Sequence, residues 1–127
     1  MINIKCDISL GELVDKLSIL KIKAQKIQDP QKLIHIHKEE DALSLTLASL
    51  TLQDIQHHLD LMVEINSKLW QIEDDIRELE HKSDFGPQFI ELARAVYITN
   101  DERFKRKNTI NTLYKSGLVE VKSYKDY

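Results

Sequence analysis

At 127 residues, with 42% hydrophobic and 31% charged side chains, the chain is the size of one domain with one core, and its composition excludes a disordered polymer. The 18 Lys and Arg against 21 Asp and Glu leave a net charge of −3, without the basic excess expected of a nucleic-acid binder. No apolar run reaches the length of a membrane span, the first residues lack a leader's apolar region, and one cysteine allows no intrachain disulfide, so a reducing cytoplasm is the expected compartment.

Residues 1–8 alternate, with Ile2, Ile4, Cys6 and Ile8 on one side and Asn3, Lys5 and Asp7 on the other, the period of a short strand. Leu118 to Lys122 is also strand-like. Two readings follow: residues 2–7 pair with 118–122 in a short ribbon covered on one face by helices, or both segments are extended tails. Ser9, Leu10, Gly11 and Glu12 fit a capping box, with Ile8 and Leu13 as the hydrophobic staple, so a first helix is predicted over 9–29. Leu10, Leu13, Leu17, Leu20, Ala24 and Ile27 form its seam. Asp29 and Pro30 are a cap and a first helical residue, and open a second helix over 30–50 in a short-looped antiparallel hairpin with the first. Leu33, Ile36, Leu43, Leu47 and Leu50 make its inner face, and a break is predicted near Thr51.

A third helix is predicted over 52–82, about 45 Å long at 1.5 Å per residue. Its heptad seam, Leu52, Ile55, Leu59, Met62, Asn66, Leu69, Glu73, Ile76 and Glu80, is interrupted by polar residues. Glu73 with Arg77 and Glu78 with Lys82 are i,i+4 pairs that support the helix. Ser83 to Pro87 is a breaker. Beyond it, 87–115 is either one bent helix closed by Gly117 or two helices divided by a capping box at Thr99 to Glu102. The fold class is therefore mainly α: a single domain over 1–127, an antiparallel bundle of four to five helices.

If the last region is one helix, its seam runs Phe89, Ala93, Val96, Asn100, Arg103, Lys107, Ile110 and Tyr114, with Asn111 one turn beyond Lys107. Charges are not buried without partners, so Arg103 and Lys107 are expected to point inward and meet Glu73, with Asn66, Asp74 and Arg77 close by. One outcome is a buried polar layer that sets helix register. If the helix splits at Asn100, both cations instead lie in solvent. The functional alternative is an anion pocket in which Arg77, Arg94, Arg103 and Lys107 grip phosphate or carboxylate groups. The acids Glu73, Asp74, Asp75 and Glu78 would serve Mg²⁺ only if Glu91, or Glu39, Glu40 and Asp41, faced them. Solvated charges explain them more simply, so no cofactor or metal site is expected, with Mg²⁺ kept as an alternative. His35, His37, His57, His58 and His81 lack metal-ligand spacing and read as surface residues, and no Gly-rich phosphate loop or nucleophile elbow is present. Cys6 reads as a small apolar strand residue, Trp70 as core or interface packing, and the run Arg103 to Lys107 as a solvated face.

These residues resemble a family of bacterial and phage proteins known as a domain of unknown function. The resemblance rests on Gly11 to Lys23, Ile27 to Leu33, Leu69 to Arg77, Phe89 to Tyr97, Asn100 to Arg103, Lys107, Ile110–Asn111 and Glu120 to Tyr124. Near the end the chain departs from the family pattern: Ser116 and Gly117 stand in reversed order and Val121 replaces a second acidic residue. The resemblance implies no activity. It implies that Glu12, Asp15, Lys16, Glu73, Asp74, Arg77, Glu91, Arg94, Asn100, Arg103, Lys107 and Asn111 belong to the family's polar pattern, pointing to a polar site among helices one, three and four.

Two function classes stay open, with the reaction, if any, unassigned. One is a helical interaction or assembly module acting as a homodimer, since Val14, Ile19, Ile22, Ile34 and Leu45 lie outside the main seams. The other is a binder or enzyme for a phosphorylated or otherwise anionic metabolite. Its candidate layer is Asp15, Lys16, Glu73, Asp74, Arg77, Arg94, Asn100, Arg103, Lys107 and Asn111.

Overall fold

A computed structural model describes residues 1–127 and contains four α-helices and no strand: α1 (Leu10–Lys26), α2 (Pro30–Ser49), α3 (Ile55–His81) and α4 (Pro87–Leu113). α1 packs against all three of the others, and α3 and α4 pack against each other. The helices begin where capping chemistry predicts. Ser9 Oγ accepts from Glu12 N, Asp29 Oδ1 accepts from Gln31 N, and Pro30 and Pro87 occupy first turns.

The first turn of α1 is closed by the protein's own oxygens. Leu10 N donates to Ser116 Oγ at 3.1 Å, Gly11 N to Asn111 Oδ1 at 2.6 Å, Glu12 N to Ser9 Oγ at 3.1 Å and Leu13 N to Ser9 O at 3.2 Å. The three orphan donors of the first turn, on Leu10, Gly11 and Glu12, are thus satisfied, and Leu13 N starts the helical ladder. Two of the four acceptors come from residues about a hundred positions away, so this cap also fixes the end of α4 against α1.

Contacts set the helix directions. Gly11 lies against Lys107 and Asn111 while Asp15 meets Arg103, so α1 and α4 run antiparallel. Tyr114 Oη donates to Gln53 O and Arg106 Nη1 to Leu61 O, so α3 and α4 are antiparallel too. The core is Leu13, Val14, Leu17, Leu47, Leu59, Met62, Ile65 and Ile110. Each such side chain taken from water stabilises the fold by about 1.5–3 kcal/mol before chain entropy is counted.

Several sequence expectations are corrected. Region 87–113 is one unbroken helix, because the residues of the supposed second cap are engaged in tertiary contacts: Thr99 is buried, and Asp101 takes Lys122 and Tyr127. Gly117 does not close it. Lys115 adopts the left-handed conformation (φ 53°), while Ser116 N donates to Asn111 O at 2.8 Å and Lys115 N to Thr112 O at 3.3 Å. α3 ends in the same way at Ser83 (φ 54°), and α2 stops at Thr51 (φ 52°). α3 starts at Ile55 rather than 52, since left-handed Thr51 and Asp54 keep Leu52 in a loop, from which it still packs on the core. α1 ends at Lys26 rather than 29, where Ile27 turns extended.

The ribbon between residues 2–7 and 118–122 does not form. Glu120 and Lys122 tie the second segment to α4, and no helix covers the apolar edge of the first, which leaves Ile2 and Ile4 91% and 84% exposed. Cys6 is accordingly exposed instead of buried. Residues 116–127 run along α4 without regular structure. Lys107 Nζ meets Glu120 at 2.7 Å, Lys122 Nζ lies 3.5 Å from Asn100 O, and Tyr127 Oη donates to Asp101 Oδ2 at 2.6 Å while its ring packs edge-on against Tyr97. No helix is long and apolar enough to cross a membrane.

Candidate functional site

Asp15 sits on the buried face of α1 at 1% exposure, a position a carboxylate occupies only with partners. Arg103, four turns from the start of α4, supplies them. Its Nε donates to Asp15 Oδ1 at 2.9 Å and its Nη2 to Oδ2 at 2.5 Å, a two-pronged ion pair that uses the planarity of both groups. From α3, Asn66 Nδ2 donates to Asp15 Oδ1 at 2.9 Å and to Ser18 Oγ at 2.8 Å, and Ser18 Oγ donates to Asp15 O at 2.6 Å. The hydrogen bond from Asp15 raises the Arg103 guanidinium above its ordinary range, burial opposes it, and the charges of Asp15, Glu12 and Glu120 add to the rise. Arg103 is therefore a fixed cation at any pH the fold survives.

One turn along α4, Lys107 is held 2.9 Å from Glu12 and 2.7 Å from Glu120. Burial acts to lower its ammonium, and the hydrogen bonds to Glu120 and Glu12 outweigh burial, leaving it raised. The expected partner, Glu73, takes neither cation: it pairs with Arg77 at 3.2 Å on the α3 surface. The cations do turn inward. They meet acids of α1 and of the tail, because α4 crosses α1 with Arg103 and Lys107 facing it, while Glu73 lies a helical turn beyond Trp70.

A cleft of about 430 Å³ opens beside this network, between α1, α3 and α4. α3 lines it with Asn66, Leu69, Trp70, Glu73 and Asp74, a set spaced i, i+3, i+4, i+7, i+8 and so lying on one stripe. α1 adds Ile19 and Ile22, and α4 adds Asn100 and Arg103. The wall is apolar and aromatic. The polar ends are Arg103 with Asn66 and Asn100 on one side, and Glu73 with Asp74 on the other. Arg103 is 28% exposed here, and its Nη1 reaches only a long 3.5 Å contact with Asn100 Oδ1. Its outer donors are thus available to a ligand, while its inner edge is braced.

Of the residues expected to form the site, Asp15, Asn100 and Arg103 come together, and Glu73 and Asp74 line the same cleft. Lys107 and Asn111 form a separate cluster at the start of α1, where Asn111 caps Gly11. Lys16, Arg77 and Arg94 are exposed and stand outside the cleft. The four-cation anion pocket therefore does not assemble, since Arg103 and Lys107 already face carboxylates and Arg77 and Arg94 lie elsewhere. No three His, Cys, Asp or Glu side chains converge in the way a metal ion needs, so the arrangement gives the Mg²⁺ alternative no support. The basic run is not a solvated face either, because Arg103, Arg106 and Lys107 all bond inward. Sequence reasoning missed Ser18, Ile19, Ile22 and Trp70 as parts of a site, and placed Asn66 beside the inward cations without counting it in the candidate layer. Asn66 carried a signal, as a polar residue on an apolar seam; for the others, only the packing of three helices reveals the shared space.

Fold and site together describe an all-helical protein with one braced arginine at the end of an apolar inter-helix cleft. The chain belongs to DUF6165, a family of unknown function, whose pattern matches residues 4–127. No curated protein and no solved structure matches it.

Proposed function

We propose that the protein is a small-ligand binding module whose site is the cleft between α1, α3 and α4. One observation carries this reading: an apolar wall of Ile19, Ile22, Leu69 and Trp70 meets a guanidinium locked in place by a buried carboxylate. A buried ion pair is a poor source of net stability, because desolvation offsets most of its attraction. Its contribution here is positional. It holds three donor hydrogens of Arg103 at one end of a cleft of the size that encloses a small organic molecule. Binding accounts for these groups without invoking turnover. Trp70 is the one tryptophan in the chain and lines the cleft, so its emission reports occupancy directly. Titration with short-chain amphiphiles of positive, negative and neutral charge is expected to give a saturable change for at least one class. A flat response to all three overturns the reading.

A second reading, a homodimer, is favoured by α2. That helix packs on α1 alone, burying Ile36 and Leu47, while Ile34 and Leu45 are 61% and 73% exposed on the opposite side. These two lie eleven residues apart, hence on one stripe. Val14 and Ile22, expected to add to such a surface, are buried instead. We read the helices as an up-and-down bundle that dimerises through α2 and works in the cytoplasm, where the free Cys6 stays reduced. Light scattering across a concentration series is expected to give twice the chain mass, falling to one for Ile34→Glu with Leu45→Glu. A monomer throughout removes this reading.

A further inference from the structure

The hydrogen-bonding inventory of the cleft narrows its ligand, on the premise that the cleft is a binding site. Asn66 is 6% exposed and both hydrogens of its Nδ2 are engaged, by Asp15 and Ser18. Those two acceptors also settle which end of the amide is the nitrogen. The remaining atom, Oδ1, accepts no hydrogen bond from the protein and belongs to a residue that lines the cleft. It is an acceptor without a protein partner at the inner end of the cleft, open to a donor from a ligand. Beside it, Asn100 Oδ1 has only its long contact with Arg103 Nη1. The inner end therefore combines free acceptors from two asparagines with free donors from one arginine. Such an end matches a neutral group that both donates and accepts, such as a primary amide.

The outer end differs. Glu73 is paired with Arg77, whereas Asp74 is exposed and forms no ion pair. Taken with their partners, the charged groups of the cleft are Asp15 and Arg103, Glu73 and Arg77, and Asp74, so one negative charge is left uncompensated. Between the two ends lie Leu69 and the Trp70 ring, with Ile19 and Ile22 opposite. Asn66 and Asp74 are eight residues apart on α3, about 12 Å along the axis at 1.5 Å per residue. A cation placed near the outer acids also gains from the face of Trp70.

We infer that the cleft takes an amphipathic organic cation rather than a phosphorylated or dianionic metabolite: an ammonium at Asp74, a short carbon chain along Trp70 and the isoleucines, and a neutral amide-like group at Asn66, Asn100 and Arg103. The charge left at Asp74 excludes a dianion from the outer end, and the Asp15 carboxylate already engages the inner edge of Arg103.

The test is a Trp70 fluorescence titration of the full chain with four probes: ω-aminohexanamide, hexanamide, adipate and inorganic phosphate. ω-Aminohexanamide is expected to bind tightest, hexanamide about five- to ten-fold more weakly for want of the charge pair, and the two anions not at all. Asp74→Asn, a surface change that leaves the helix intact, is expected to remove that five- to ten-fold advantage and to leave hexanamide binding as it was. Adipate or phosphate binding more tightly than ω-aminohexanamide overturns the ligand class and keeps the cleft as a site. Equal binding of the two amides, or an Asp74→Asn chain that still prefers the amine, also overturns it. Silence from all four probes, together with the neutral and charged amphiphiles above, removes the site itself.

Discussion

Arg103 and Asp15 form the contact on which the local structure turns. Replacing Arg103 with Ala leaves the Asp15 carboxylate buried with only neutral partners, and a loss of about 3–5 kcal/mol in urea unfolding is expected. Asp15→Leu combined with Arg103→Met takes away both charges and keeps the volume, so it is expected to cost far less than Arg103→Ala alone. If the double variant is as unstable as the single one, the pair contributes through packing and not through charge. Asn66 adds a second donor to Asp15 Oδ1 beside Arg103 Nε, while Ser18 Oγ accepts from Asn66 and donates to the Asp15 backbone carbonyl, and these partners explain how a carboxylate persists at 1% exposure.

At the scale of elements, α1 and α4 approach so closely that only glycine fits at position 11. A Cβ there would stand 2.5 Å from Lys107 O and 3.0 Å from Asn111 Oδ1. The nearer obstacle is backbone and cannot swing away, so Gly11→Ala must part the helices. A loss of about 1–3 kcal/mol is expected by urea unfolding, in the range of overpacked cores. Gly117→Ala, with open space around it, is the control and is expected to be close to neutral. Ser9→Ala removes the oxygen that accepts from Glu12 N and is expected to cost about 1 kcal/mol, the usual effect of a lost N-cap. The family resemblance marked Glu12 and Asn111 without a reason for either. The structure supplies one: Glu12 holds Lys107, and Asn111 closes the first turn of α1.

Over the whole molecule, the C-terminal segment beyond Ser116 is tied to α4 through side chains, which makes its docking depend on pH. Tyr127 is pushed up to about 12 by its hydrogen bond to Asp101, and Lys107 is raised by Glu120 and Glu12 against the effect of burial. A group whose value is raised by folding stabilises the folded form fully below its unfolded value, and that stabilisation is lost as pH climbs through the folded value. Both contributions are therefore intact at neutral pH and disappear in the alkaline range, for Tyr127 between about 10 and about 12. A tyrosinate absorbance titration is expected to show Tyr114 and Tyr127 ionising late, the Tyr127 component absent in Tyr127→Phe, with the tail released before the helices melt. Protection of residues 116–127 that persists unchanged through that range argues against it. The dimer expected through α2 is a property of this scale as well, since two exposed residues on one helix acquire meaning only from the face they share.

Helix positions and types were legible because each rests on local chemistry: the Ser9 and Asp29 caps, the 3-and-4 apolar spacing of α1, and the breaker at Ser83 to Pro87. The inward turn of Arg103 and Lys107 was legible for a similar reason, since both sit on an apolar stripe and a charge there needs a partner. Which partner was not, because Asp15, Glu12 and Glu73 are equivalent as carboxylates in the sequence, and only the crossing of α4 over α1 brings the first two within reach. The terminal alternation allowed strands or extended tails, and the tails are what the structure shows, since a strand exists only when a neighbour takes its backbone groups and residues 1–8 pair with nothing. Periodicity and capping act within a few residues along the chain. Pairing, burial and the space between helices depend on atoms far apart in sequence, and so they belong to the tertiary structure alone.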